Sequence, residues 1–91
     1  MKTKFQIPRI LQRYCDGNLE FMVEAETVRE LLDDVQRNHP SLYVCICDET
    51  GKLRQHINLF VNSDLLVERR KFDTRLVAGD VVSVFQAVSG G

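Results

Sequence analysis

Hydrophobic positions in this chain change period several times, and each change marks an element. Phe5 and Ile7 alternate with Lys4 and Gln6, the period-two pattern of a half-buried strand. Pro8 has no amide to give to a ladder, so this strand is expected to end there or to lie at an edge. Asp16-Gly17-Asn18 is a turn signal. Leu19, Phe21 and Val23 then share one face, opposite Glu20, Met22 and Glu24, which predicts a second strand and, with the first, a hairpin. Next the period lengthens. Val28, Leu31, Leu32 and Val35 stand at i, i+3, i+4 and i+7, the stripe of an amphipathic helix. Thr27 with Glu30 three residues on forms a capping box at its start. Pro40 biases His39 away from helical torsions, so the helix should stop near Asn38-His39.

The apolar stretch Leu42 to Cys47 has no period and is read as a buried strand or an irregular crossing. Asp48-Glu49-Thr50-Gly51 is a turn. Ile57, Leu59 and Val61 alternate with Asn58, Phe60 and Asn62 to give a further strand, and Asn62-Ser63-Asp64 a tight turn. Leu65-Leu66-Val67 follows as a short strand. Leu76 and an Ala78-Gly79-Asp80 turn lead into a last strand, Val81 to Phe85. The order β-β-α-β-β-β predicts an α+β fold, a mixed sheet packed on one main helix.

Composition narrows the function classes. With 91 residues the chain is one small domain, and 44% hydrophobic content suffices for a core. Twelve basic residues against 13 acidic ones, a net charge of -1, give no electrostatic drive toward phosphate backbones, so nucleic acid is not an expected partner. No run approaches the roughly 20 apolar residues of a membrane helix. The polar start Met1-Lys2-Thr3-Lys4 does not read as an export signal. Three cysteines without such a signal predict reduced thiols and a cytoplasmic location.

Candidate chemistry inside the domain is sparse. Cys45 and Cys47 would share a strand face, but Cys15 is the only other cysteine, and metal or iron–sulfur sites ordinarily need four ligands. The pair reads as idle thiols. Arg69-Arg70-Lys71, and Lys52 with Arg54 around Leu53, read first as solvated basic faces and second as contacts for an acidic partner surface. His39 stands at a helix end, where a cation favours the dipole. No G-x-x-x-x-G-K-S/T phosphate loop occurs, so the chain is expected to bind no cofactor itself.

The chain resembles the MoaD/ThiS sulfur carriers. The resemblance rests on Ile7-Pro8-x-x-Leu11, the capped helix Thr27-Val28-x-x-Leu31-Leu32, and Pro40. It continues through Gly51-Lys52-Leu53-Arg54, Ile57-Asn58-Leu59-Phe60-Val61-Asn62, Leu76-x-x-Gly79-Asp80-x-Val82 and Ala87-Val88-Ser89-Gly90-Gly91. It runs from about Phe5 to Gly91, and looks most like carriers for cysteine biosynthesis and longer MoaD-type subunits. It implies a ubiquitin-like β-grasp domain over residues 1–85 and a flexible tail over 86–91.

It also implies a cycle. A ubiquitin-activating-like adenylyltransferase, which binds the ATP, would adenylate the Gly91 carboxylate. A sulfur donor enzyme would then replace AMP, leaving a thiocarboxylate. The receiving enzyme would be cysteine synthase-like or a molybdopterin synthase large subunit. Gly90 and Gly91 suit a narrow channel because they carry no side chain and tolerate unusual torsions. Six extended residues from Gln86 reach roughly 20 Å into a partner. The chain would then be a protein co-substrate rather than an enzyme. The family's partner-facing apolar patch matches Phe85 and Leu65 by position, with Phe60 a weaker member because its parity opposes Ile57, Leu59 and Val61; Ala87 and Val88 join it on the tail. Three readings share this outline: a stand-alone sulfur carrier, the small subunit of a molybdopterin synthase, and a ubiquitin-like modifier or interaction module.

Overall fold

A computed structural model describes residues 2–66 and 72–86 of the chain. The elements are β1 (Lys2–Gln6), a 3₁₀ helix (Arg9–Cys15), β2 (Glu20–Glu24), α1 (Val28–Asn38), α2 (Pro40–Ile46), β3 (Ile57–Val61), β4 (Asp64–Leu66) and β5 (Val81–Gln86). The strands form one mixed sheet in the order β2-β1-β5-β3-β4. β5 is the central strand, parallel to β1 and antiparallel to β3.

The strand periods sort side chains onto two faces. Phe5, Leu59, Val82 and Val84 are buried on the helix-covered face, against Val28, Leu31, Leu32 and Val35 of α1 and Leu42 and Ile46 of α2. The hairpin is present, with Phe5 opposite Phe21 and Gln6 opposite Glu20. Leu19 does not share the buried face with Val23. It precedes the last paired position, Gln6↔Glu20, and is 38% exposed.

At α1 the Thr27 hydroxyl accepts the Glu30 amide at 3.2 Å. The Glu30 carboxylate reaches back to the amide of Glu26 at 3.2 Å, one residue further out than in the standard box.

The largest departure from the sequence reading is Leu42 to Cys47. It is neither strand nor irregular crossing but lies in α2, apart from its C-cap, Cys47. Pro40 ends α1 and also starts α2 at a first-turn position, where its missing amide costs nothing and its fixed φ is helical. Six consecutive apolar residues carry no period of their own. The helix is visible only once Leu42 and Ile46, four apart, are seen to be buried together. Cys45 and Cys47 therefore do not share a strand face: Cys45 is half-buried and Cys47 buried. The helical turn at Arg9–Cys15 was also not anticipated. Val67 and Arg69-Arg70-Lys71 lie outside the described residues.

Candidate functional site

The uncovered face of the sheet carries the candidate site. β3 and β4 are joined by a two-residue turn that sets Phe60 opposite Leu65. On the other side β3 pairs with β5, placing Phe60 opposite Ser83 and Asn58 opposite Phe85. Phe85 is thus the diagonal neighbour of Phe60, within reach of an aromatic ring. The rings meet edge to face, with centroids 5.3 Å apart and planes at 87°. Phe85 is 54% and Leu65 44% exposed; Phe60, on the strand between them, is half-buried. The structure therefore brings together all three apolar residues singled out on the folded body. Opposite parity does not weaken Phe60's membership, as the sequence reading had it: Ile57, Leu59 and Val61 are buried on the covered face, so the opposite parity is what puts Phe60 on the patch.

Beside this patch the same face turns polar. Ser83 Oγ donates to Gln6 Oε1 at 3.3 Å, Gln6 Nε2 donates to Glu20 Oε2 at 3.2 Å, and Lys4 pairs with Glu20 at 3.6 Å. An apolar anchor with a polar border is the usual anatomy of a protein–protein contact.

A second arrangement sets the start of β5. Asn62 closes the β3–β4 turn in the left-handed region, φ 55°, which Asn tolerates better than most residues. Its amide donates to Val81 O at 2.7 Å and its Oδ1 accepts from the Val81 amide at 3.1 Å. Its Nδ2 donates to Asp80 Oδ1 at 3.1 Å. Asp80 Oδ2 in turn accepts the Val77 amide at 2.9 Å, closing a turn in which Gly79 takes φ +93°. Sequence reasoning saw these residues as turns but assigned Asn62 and Asp80 no joint role. Both stood in the quoted motifs, and that was the signal available.

Three helical or post-helical thiols are free. Burial pushes the Cys47 thiol up to about 11, partly opposed by the Tyr43 hydroxyl, which donates to it. Burial, and then Asp16, raise Cys15. Among the described residues no group of three or more His, Cys, Asp or Glu side chains is placed to hold a metal ion. No described helix is long and apolar enough to cross a membrane.

β5 ends on Gln86, opposite Ile57 of β3. Ala87, Val88, Gly90 and Gly91 lie outside the described residues. The family model for ThiS matches residues 11–91. The chain belongs to the ThiS family. Its fold is the ubiquitin-like β-grasp. The sulfur carrier protein CysO of Mycobacterium tuberculosis is 26% identical over 93 aligned positions, covering all of both chains. CysO of Amycolatopsis orientalis, solved in complex with BexX, superimposes with a TM-score of 0.85 at 28% identity, over 98% of this chain and 99% of that one. SAMP1, the small archaeal modifier protein 1, of Haloferax volcanii gives 0.82 at 26% identity over all of both chains.

Proposed function

We propose that this ThiS-family chain is a sulfur carrier whose Gly91 carboxylate is the reactive group. The carboxylate attacks the α-phosphate of ATP on an activating enzyme, releasing pyrophosphate and leaving an acyl-adenylate. Sulfide delivered by a sulfur donor enzyme displaces AMP, and the product is a thiocarboxylate. The sulfur is softer and more nucleophilic than the carboxylate oxygen it replaces, and passes to the acceptor. ATP binds the activating enzyme, and this chain is a protein co-substrate acting in the cytoplasm.

The observation that carries this reading is the join between patch and tail. Phe85 stands next to the last described residue of the central strand and packs on Phe60, which in turn stands opposite Leu65. β5 is held by β1 on one side and β3 on the other. A partner that grips the patch therefore receives whatever follows Gln86 from a fixed origin. Five residues, 87–91, reach about 17 Å when extended. The end-to-end match with the mycobacterial carrier supports placing the reactive carboxylate at Gly91.

Intact mass spectrometry after incubation with ATP, activating enzyme and a sulfur donor tests the reading. The expected product is heavier by the exchange of one oxygen for sulfur, and removing Gly91 or appending Ala abolishes it. An unchanged mass under conditions that release pyrophosphate would overturn it. The likeness to SAMP1 favours one other reading, a modifier joined to lysines; isopeptide remnants on other proteins would reveal it. A stable complex with a larger synthase subunit would instead place the chain in molybdopterin synthesis.

A further inference from the structure

The chain direction of three strands brings three separate segments to one end of the sheet. β1 and β5 are parallel, so the 3₁₀ helix after β1 and the residues after β5 leave at the same end. β3 is antiparallel to β5, so the segment that enters β3, Arg54 to His56, starts there as well. Between these segments and α2 lies a cleft of about 240 Å³ lined by Arg13, Tyr14, Cys45, Arg54, His56 and Gln86, among others. Two guanidinium groups and an imidazole face it, and no described carboxylate lines it. Arg54 is steadied by donating Nε to Val44 O at 2.6 Å. Arg13 lies over the Tyr14 ring at 5.2 Å. Neither forms an ion pair among the described residues.

We propose that this cleft is a second docking point, which takes carboxylate side chains on the rim of the activating enzyme's tail channel. The inference rests on the carrier reading above. Gln86 is both a wall of the cleft and the last described residue before the tail, so an enzyme that receives the tail must pass over the cleft. Guanidinium groups are the donors best matched to carboxylates. Such charges act chiefly on encounter and orientation. The apolar patch supplies grip on one side of the tail, and the cleft fixes the angle of approach on the other.

The test is steady-state adenylation of the full chain by its activating enzyme, followed by pyrophosphate release. Arg13→Glu and His56→Glu are the informative variants, because both side chains are exposed and neither holds α2 as Arg54 does. Arg37→Glu, on an exposed side chain of α1, is the charge-matched control for Arg13→Glu alone, and Arg37→Glu with Gln36→Glu, also exposed, is that for the double variant. The double variant is expected to raise KM about tenfold or more with kcat unchanged, and to flatten the salt dependence of kcat/KM. The control should stay near wild type. An unchanged KM, or an equal rise in the control, overturns the cleft while leaving the carrier reading intact. A fall in KM would mean that the cleft holds the chain's own terminal carboxylate and competes with the enzyme, which also overturns it. Failure of the wild-type chain to be adenylated would sink the carrier reading and this inference with it.

Discussion

Asn62 Nδ2 donates to Asp80 Oδ1 at 3.1 Å, tying the β3–β4 turn to the start of β5 across 18 residues of sequence. The bond lies at the opposite end of β5 from the tail, yet it bears on the tail's position. It fixes where β5 begins, and the ladder from Val61↔Val82 to Ile57↔Gln86 carries that register to the other end. A slip by one residue would move Phe85 into the core and Val84 out of it. The docking patch thus depends on a turn it does not touch.

Removing either partner should cost stability by different routes. Asp80→Ala leaves the Val77 amide and Asn62 Nδ2 without their acceptor and is expected to cost about 1–2 kcal/mol. Asn62→Ala loses two side-chain bonds and also places a Cβ-bearing residue without Asn's local compensation at positive φ, which adds roughly 1 kcal/mol. Asn62→Gly relieves the backbone term and keeps the side-chain loss, so it should fall between wild type and Asn62→Ala. Urea unfolding measures all three. A variant Asn62→Gly as unstable as Asn62→Ala would show that the left-handed backbone is not part of the cost.

The aromatic pair should separate binding from folding. Phe85→Ala exposes little core, because the ring is already 54% exposed, and should cost under about 1 kcal/mol of stability. As an anchor it should weaken activating-enzyme binding about tenfold or more. Phe60→Ala should weaken binding partly by loosening Phe85. A double-mutant cycle is therefore expected to show coupling of about 0.5–1.5 kcal/mol, the usual range for an edge-to-face pair. Additive losses would mean that the two rings meet the partner independently.

What the sequence showed and what it hid follow from the range of the signals. Alternation in Ile57 to Val61 and Val81 to Phe85 exposes strand and face together, so Phe85 was legible as an outward aromatic. The parity that marked Phe60 down as a weaker member of the patch is in fact what puts it on that face; that it packs on Phe85 required the β3–β5 register, which no local pattern records. Leu42 to Ile46 failed because its exposed side is apolar too: Val44 is 58% exposed, so no polar residue marks the outer face and reveals the period. Pro40 was seen as a stop, and its second role as a helix start needs the chain beyond it. The basic cleft was least visible of all. Arg13 lies far in sequence from Arg54 and His56, and they meet only because β1 runs parallel and β3 antiparallel to β5.

Thr3 offers a stabilising change. It is fully buried on β1 opposite Val23, and its hydroxyl finds no hydrogen-bond partner among the described residues. An unpaired buried hydroxyl costs about 1–3 kcal/mol. Thr3→Val keeps the branched shape and removes the polar atom, so it should raise stability by about 1–2 kcal/mol in urea or thermal unfolding. Loss of stability instead would show that an ordered water satisfies the hydroxyl.

The alkaline limb of stability should carry the signature of Cys47. Burial pushes its thiol up to about 11 in the folded chain from the 9.0 of a free thiol, with the Tyr43 hydrogen bond pulling the other way. The neutral thiol is thus the form that folding prefers. Below about pH 9 both states hold the proton and the contribution is fully present. Between about 9 and about 11 the unfolded chain has released the proton and the native chain has not, so the unfolded state gains and stability falls. The size is on the order of 1–2 kcal/mol after allowance for solvent screening. Tyr43 is raised as well, chiefly by burial and then by Cys47, and steepens the fall above pH 10; Cys15 moves in the same direction. The wild-type chain minus Cys47→Ala isolates the Cys47 contribution, since the cavity left by the substitution is independent of pH. That difference in unfolding free energy should be flat from pH 6 to about 8 and shrink toward pH 11. A difference that stays constant through pH 11 would mean that Cys47 ionises alike in the folded and unfolded chain.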